Sequence, residues 1–533
     1  MKSRTTIMGI LLALLATVVA GGRSVAAESR PRLVVNIVVS GMSEGDLERY
    51  SAGFGDGGFR LLMGGTAYPY AHYDFAPTTP SALATLTTGA NPSLHGVVGY
   101  GWWNRTTGEY TSSVGDSHFS TFNADSPESR VANTNLSVES LGDVVVRNIE
   151  GGRSVSVAPD PSSAIVMGGV NPSEVWWLDS LSGTWTTSTR YANSLPKWVK
   201  TLNNQGAWWR KQYTKPWVLS HGNNYYRNSH STVVKPYGYK PSKEENSRKV
   251  KADDILAMSY SYVCNSVVAD AAKEAIIYNR LGGDGATDVL NVCFDAPRRI
   301  AARYGLHSRE MEDMYYRLDE SLADLVRFAS AQAGGNIVVV LASDGECRPT
   351  DGSGSRLFNS SQARFLISSF LSATHGKGDW VLGYERGGVW LNHNLIFSRG
   401  LSLEDVQQQV AAFVLQLRGV SHAVTASELA GGGVKQGLVS VVQSGFYPRH
   451  SADVQLVLMP DWCEVESEEA RPHYSSSLPY APYRRAYVAL WGEGVRSGHT
   501  VERSVNVGSV VVTLADMVGV SLPLGAEQPP LGE

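Results

Sequence analysis

Asp344 closes an apolar run, Val338-Val339-Val340-Leu341-Ala342-Ser343, that reads as a buried parallel strand delivering an acidic side chain from its carboxyl end. Carboxylates delivered this way commonly hold metal ions. A second aspartate, Asp295, follows another apolar run, Val289 to Phe294, and is expected at the same edge of the sheet. Two carboxylates alone make a poor transition-metal centre, which takes about three or four donors with imidazole or thiolate among them. The residue after Asp344 is Gly345, and His95, His307, His375, His393 and His473 belong to no HExxH or similar pair. Arginines stand nearby in sequence instead: Arg298-Arg299 after Asp295, and Arg484-Arg485 before a late apolar run. The setting suits an enzyme, and the donor set is thin.

These side chains need a scaffold, and the chain supplies one by alternating strands with helices. Arg32 to Val39 reads as a central parallel strand that turns off through Ser40-Gly41-Met42. Ala164 to Met167, Val289 to Phe294, Ile337 to Ala342, Val454 to Met459 and Tyr487 to Trp491 read as strands too. One amphipathic helix starts at the N-cap Ser308 and places Met311, Met314, Leu318, Leu322, Leu325 and Phe328 on one face. Another, capped by Ser402, runs from Leu403 to about Leu417. The pattern predicts an α/β fold, a doubly wound, mostly parallel sheet with helices on both faces. Residues from about 191 to 253, with Trp208-Trp209, Trp217 and Tyr225-Tyr226, break the rhythm and read as an irregular insertion; a second is expected from about 350 to 445. Such aromatic clusters can stack on sugar or base rings, although anchoring long loops is their commoner use.

Composition excludes several classes. With 533 residues, 43% of them hydrophobic and 18% charged, the chain can bury a large core. A net charge of -4 with both signs interspersed offers no basic stripe for nucleic acid. Lys2 and Arg4 precede an apolar run from Ile7 to Ala20 and the small-residue patterns ending at Ala26 and Ala27, so residues 1–27 read as a signal peptide. A membrane anchor is the alternative, and it would need about 20 apolar residues. No later segment reads as transmembrane, and a periplasmic or secreted protein is expected. Export makes the cysteines, Cys264, Cys293, Cys347 and Cys463, disulfide candidates. A bridge between Cys347 and Cys463, each beyond a strand end, is the pairing considered.

The run from Arg32 through Met42, then Gly57-Gly58-Phe59-Arg60, Pro77-Thr78-Thr79-Pro80 and Asn91-Pro92-Ser93-Leu94-His95-Gly96, resembles the opening of the alkaline phosphatase superfamily. The likeness is nearest to the phosphate-irrepressible, single-chain phosphatases of Bacteroidetes-type bacteria. It continues through Thr186 to Lys200, the Tyr315-Tyr316 helix and Val511 to Val520, and so covers nearly all of residues 28–533 as one phosphatase-like domain. The resemblance implies hydrolysis of phosphate esters by two zinc ions and a threonine or serine nucleophile, for which Thr79 holds the position. It also implies losses. Metal-ligand positions fall on Ser40, Gly345 and near Arg485, while Asp344 and Asp295 keep carboxylates as remnants of the metal site. The family's phosphate-gripping asparagine falls on Tyr100, and its lysine and arginine fall near Asp160 and Ser162, within a stretch, Val155 to Val166, that holds no Lys or Arg.

Two aspartates left without metal would repel each other unless neutralised. A guanidinium from Arg298, Arg299, Arg484 or Arg485 is expected to bridge Asp344 and Asp295 as an ion pair. The reading is therefore a catalytically degenerate exported protein, a pseudoenzyme with no cofactor, binding a protein, a glycan or an anionic ligand. The alternative is a zinc-dependent phosphomonoesterase or phosphodiesterase that uses Thr79.

Overall fold

The computed structural model describes residues 30–123, 129–205, 217–222, 225–227, 258–349, 356–433, 436–466, 474–475 and 478–532. The expected signal peptide, Trp208-Trp209 and His473 lie outside them. Residues 31–533 form one compact unit around a ten-stranded sheet.

At the centre of that sheet Leu33–Val39 pairs in parallel with Asp288–Phe294 on one side and Ile337–Ala342 on the other. All three strands are buried along their whole length, which is why they read as mostly apolar runs; the buried Asn36 donates to Asn291 across the first two at 2.8 Å. Ser154–Ala158 and Glu174–Leu178 extend the parallel part, and Trp185–Thr186 closes that edge antiparallel. On the other side Arg485–Gly492 runs antiparallel to both Ile337–Ala342 and Thr66–His72. Helices cover both faces, as the alternation predicts. Tyr262–Asn279 and Arg309–Gln332 pack against Val35, Ile37 and Leu290, while Thr79–Thr88 and Ser509–Val518 pack against Val34, Val38 and Val340.

The helix caps follow the sequence signals. Ser308 accepts a hydrogen bond from the Met311 amide and Ser402 from the Asp405 amide, fixing the starts of Arg309–Gln332 and Leu403–Val414. Two expected strands come out differently. Ala164 to Met167 belongs to a helix, Pro161–Gly168, because Asp160 caps it by accepting from the Ser163 amide and Pro161 sits at its first turn. Val454–Leu458 leaves the central sheet for a second, four-stranded one, where it lies antiparallel between Gly388–Leu391 and Val420–Thr425.

No disulfide joins Cys347 to Cys463, which corrects that expectation. Cys347 lies deep beside Gly41, so close that a β-carbon there would meet its Sγ at 2.7 Å. Cys463 sits on a strand paired with Arg356–Asn359, and its thiol donates to the Glu464 carbonyl. Burial pushes the Cys347 thiol up to about 12.

Candidate functional site

Three parallel strands end side by side, and their next residues define the site. Ser40 follows the first strand and is fully buried, its hydroxyl 3.7 Å from the Cys293 thiol. Gly41 then takes a positive φ of 76°, which turns its N–H onto Asp344 at 2.7 Å. Asp344 is 1% exposed. Its Oδ1 accepts from Gly41 and from Arg298, also at 2.7 Å, while its Oδ2 has no hydrogen-bond partner among the described residues. The same guanidinium donates to the Gly345 carbonyl at 3.3 Å. Gly345 sits at φ 109°, with Pro77 3.0 Å from where a β-carbon would stand, so backbone and space both favour glycine there.

Asp295 follows the Asp288–Phe294 strand and starts the helix Ala296–Tyr304. Arg299, one turn on, donates from Nε to Asp295 Oδ2 at 2.5 Å. Burial pushes the Asp295 carboxyl up, and the Arg299 guanidinium holds it back; Arg299 in turn is raised, first by the Asp295 charge. Arg298 and Arg299 therefore take one carboxylate each instead of bridging both.

The other two arginines lie elsewhere, which corrects their assignment to this ion pair. Arg484 donates to the Tyr73 carbonyl at 2.6 Å, and Arg485 is exposed, its guanidinium 5.5 Å from the Tyr70 ring centroid. The reason is position along the strand: Arg485 is the exposed first residue of an antiparallel strand that is buried only from Ala486 to Leu490.

Thr79 is the first residue of the helix Thr79–Thr88, and Thr78 caps that helix through Ser81. The Thr79 side chain is buried, and its Oγ1 accepts a hydrogen bond from the Tyr100 hydroxyl at 3.1 Å. Burial raises the Tyr100 hydroxyl above its ordinary value, so it stays a donor. One of the two lone pairs on the Thr79 oxygen is thus engaged. Asp160 is occupied with Ser163, and the Ser162 hydroxyl meets that of Ser113 at 3.3 Å. Neither offers positive charge to an anion.

One neighbour escaped the sequence reading. Arg386 lies with its guanidinium 5.0 Å from the Tyr100 ring centroid, and its N–H donates to Glu464 at 3.0 Å. It sits at the tip of a hairpin joining Val381–Glu385 to Gly388–Leu391; the Arg386-Gly387-Gly388 run was the signal for that turn. The aromatic insertion is anchored rather than open where it is described. Trp217, Ser220 and Tyr226 all donate to Asp313, and Tyr316 donates to Glu312.

The family model of type I phosphodiesterases and nucleotide pyrophosphatases matches residues 34–363. Alkaline phosphatase PafA of Elizabethkingia meningoseptica is 25% identical over 541 residues, 96% of either chain. Alkaline phosphatase PhoV of Synechococcus elongatus is 26% identical over 522 residues, covering 93% of this chain and 92% of its own. The crystal structure of wild-type PafA shares the fold with a TM-score of 0.85 at 24% identity, over 94% of this chain and 98% of that one. Human ectonucleotide pyrophosphatase/phosphodiesterase 5 matches with a TM-score of 0.54 at 10% identity, over 94% of this chain and 97% of that one.

These relatives correct the expectation of no cofactor, because alkaline phosphatases depend on zinc. Zinc is the group against which the site has to be judged. At the positions that the resemblance assigns to metal ligands, Ser40 and Gly345 bring no imidazole or carboxylate and Arg485 brings a cation, a set that does not fit a pair of zinc ions. Among the described residues no three of His, Cys, Asp and Glu gather into a ligand group, and both remaining carboxylates carry a guanidinium.

Proposed function

This chain belongs to the type I phosphodiesterase and nucleotide pyrophosphatase family, within the alkaline phosphatase superfamily, and from that premise we propose that it is an exported, catalytically degenerate member whose cleft binds a ligand without hydrolysing it. The observation that carries this reading is the pairing of each surviving carboxylate with its own arginine, Asp344 with Arg298 at 2.7 Å and Asp295 with Arg299 at 2.5 Å. Charge that the family devotes to activating a nucleophile and a leaving oxygen is here neutralised internally. The Tyr100 donor on Thr79 and the lack of Lys or Arg from Val155 to Val166 support the same reading. Residues 28–533 are read as a single phosphatase-like domain with inserts at about 191–253 and 350–445. No helix of the described residues is long and apolar enough to cross a membrane. A periplasmic or secreted location is proposed from the N-terminal pattern.

A second reading, a zinc-dependent phosphomonoesterase or phosphodiesterase using Thr79, is favoured by the relatives' names and by the retained threonine at a helix N-terminus, where an anion is stabilised. One assay separates the two. Hydrolysis of p-nitrophenyl phosphate and bis-p-nitrophenyl phosphate is followed in zinc-supplemented buffer for the native chain and for Thr79→Ala. Equal, background rates are expected; turnover that disappears with Thr79→Ala would establish the second reading.

A further inference from the structure

Next to Tyr100 a cavity of about 510 Å3 opens between the central sheet and the second one, within the size range of small-ligand sites. Tyr100, Tyr384 and Trp390 supply aromatic wall, and Glu385, Arg386 and Glu464 supply polar wall. The charge balance there is unfavourable to an anion. Arg386 is the cation among those six, with its Nε 3.9 Å from Glu385 and its guanidinium over Tyr100. Burial raises Glu464 to about 7 and raises Glu385 as well, so both keep protons to higher pH than an exposed glutamate. A carboxyl that keeps its proton offers both a donor and an acceptor.

The hairpin turn brings the cation to this wall. Arg386 at φ 48° and Gly387 at 74° form the two-residue loop between Glu385 and Gly388, the positive-φ geometry that such hairpins favour, and the turn sets the guanidinium at the cavity wall.

Aromatic wall beside paired polar groups, Arg386 with Glu385 and Glu464, matches one ligand chemistry: sugar rings, whose C–H faces pack on aromatics and whose hydroxyls take planar carboxyl and guanidinium partners. We propose that this cavity binds a short neutral saccharide, with Tyr384 against its ring face and Glu385 and Arg386 on its hydroxyls. The proposal rests on the ligand-binding reading above and narrows its ligand.

Calorimetric titration of the full chain with maltose, cellobiose, lactose and N,N′-diacetylchitobiose tests it, with phenyl phosphate as the anionic probe. Saturable binding of at least one disaccharide is expected, weakened about tenfold or more by Glu385→Ala and by Arg386→Gly. Glycine accepts the left-handed turn, so Arg386→Gly keeps the hairpin and carries the test if Glu385→Ala fails to fold. The proposal is overturned if no disaccharide saturates up to about 10 mM, if phenyl phosphate alone binds, or if folded variants bind like the native chain. Thr79-dependent ester turnover would instead sink the degenerate-enzyme reading, a result the titration does not produce.

Discussion

The two oxygens of Asp344 have unequal surroundings, and stability should register the difference. Oδ1 holds Gly41 and Arg298, whereas Oδ2 meets no described partner in a fully buried setting. Replacing Arg298 with Met leaves a buried carboxylate with a backbone donor alone and should cost about 3 to 5 kcal/mol in urea unfolding. Adding Asp344→Asn to that variant should recover most of the loss; a purely additive double mutant would show that the pair is not coupled. Glu464 makes a pH prediction. Burial lifts its carboxyl from 4.5 to about 7, so its contribution to stability is complete below 4.5 and declines as pH rises through 7. Glu464→Gln should flatten that part of a melting-midpoint profile, and an unchanged slope would assign it to other groups. The presence of arginine near the aspartates was legible because only residue types and chain proximity were needed. Which arginine meets which aspartate was not, since Arg298 and Arg299 share a helix turn with Asp295 while Arg485 depends on where a distant strand begins to be buried.

At the level of elements, capping decides more than apolarity does. Thr78 exchanges hydrogen bonds with Ser81 and so aims the helix that carries Thr79. Thr78→Ala should lower stability by about 1 kcal/mol; thermal melts check the size, and a neutral result would mean the helix is held by packing alone. The same chemistry explains a misread segment. Ala164 to Met167 is short and apolar enough to pass for a buried strand, yet Asp160 and Pro161 before it already carry the N-cap and first-turn signals of a helix. Val454–Leu458 shows the opposite limit: it is a strand, as read, and nothing local to it tells which of two sheets it will join.

Across the whole molecule, the second sheet is held in part through Arg105, in the turn after the short strand Gly101–Trp103, which pairs with Asp453 at 3.3 Å. Asp453 also accepts from His393, Gln407 and the Leu391 amide, so the sheet's own core converges on it. Arg105→Ala should raise hydrogen exchange in Gly388–Leu391 and Val454–Leu458 while leaving Leu33–Val39 protected; uniform destabilisation would contradict that division. The superfamily was readable because its motifs are contiguous, whereas the cavity was not, being assembled from residues near 100, 385 and 464 that meet only in the folded chain. The central strand order carries a kinetic corollary. Leu33–Val39 lies about 250 and about 300 residues before its neighbours on the two sides, Asp288–Phe294 and Ile337–Ala342, so closing the centre of the sheet is a long-range step. Six buried apolar side chains of that strand stay uncovered until this closure, so slow refolding from urea, with association competing at high protein concentration, is expected.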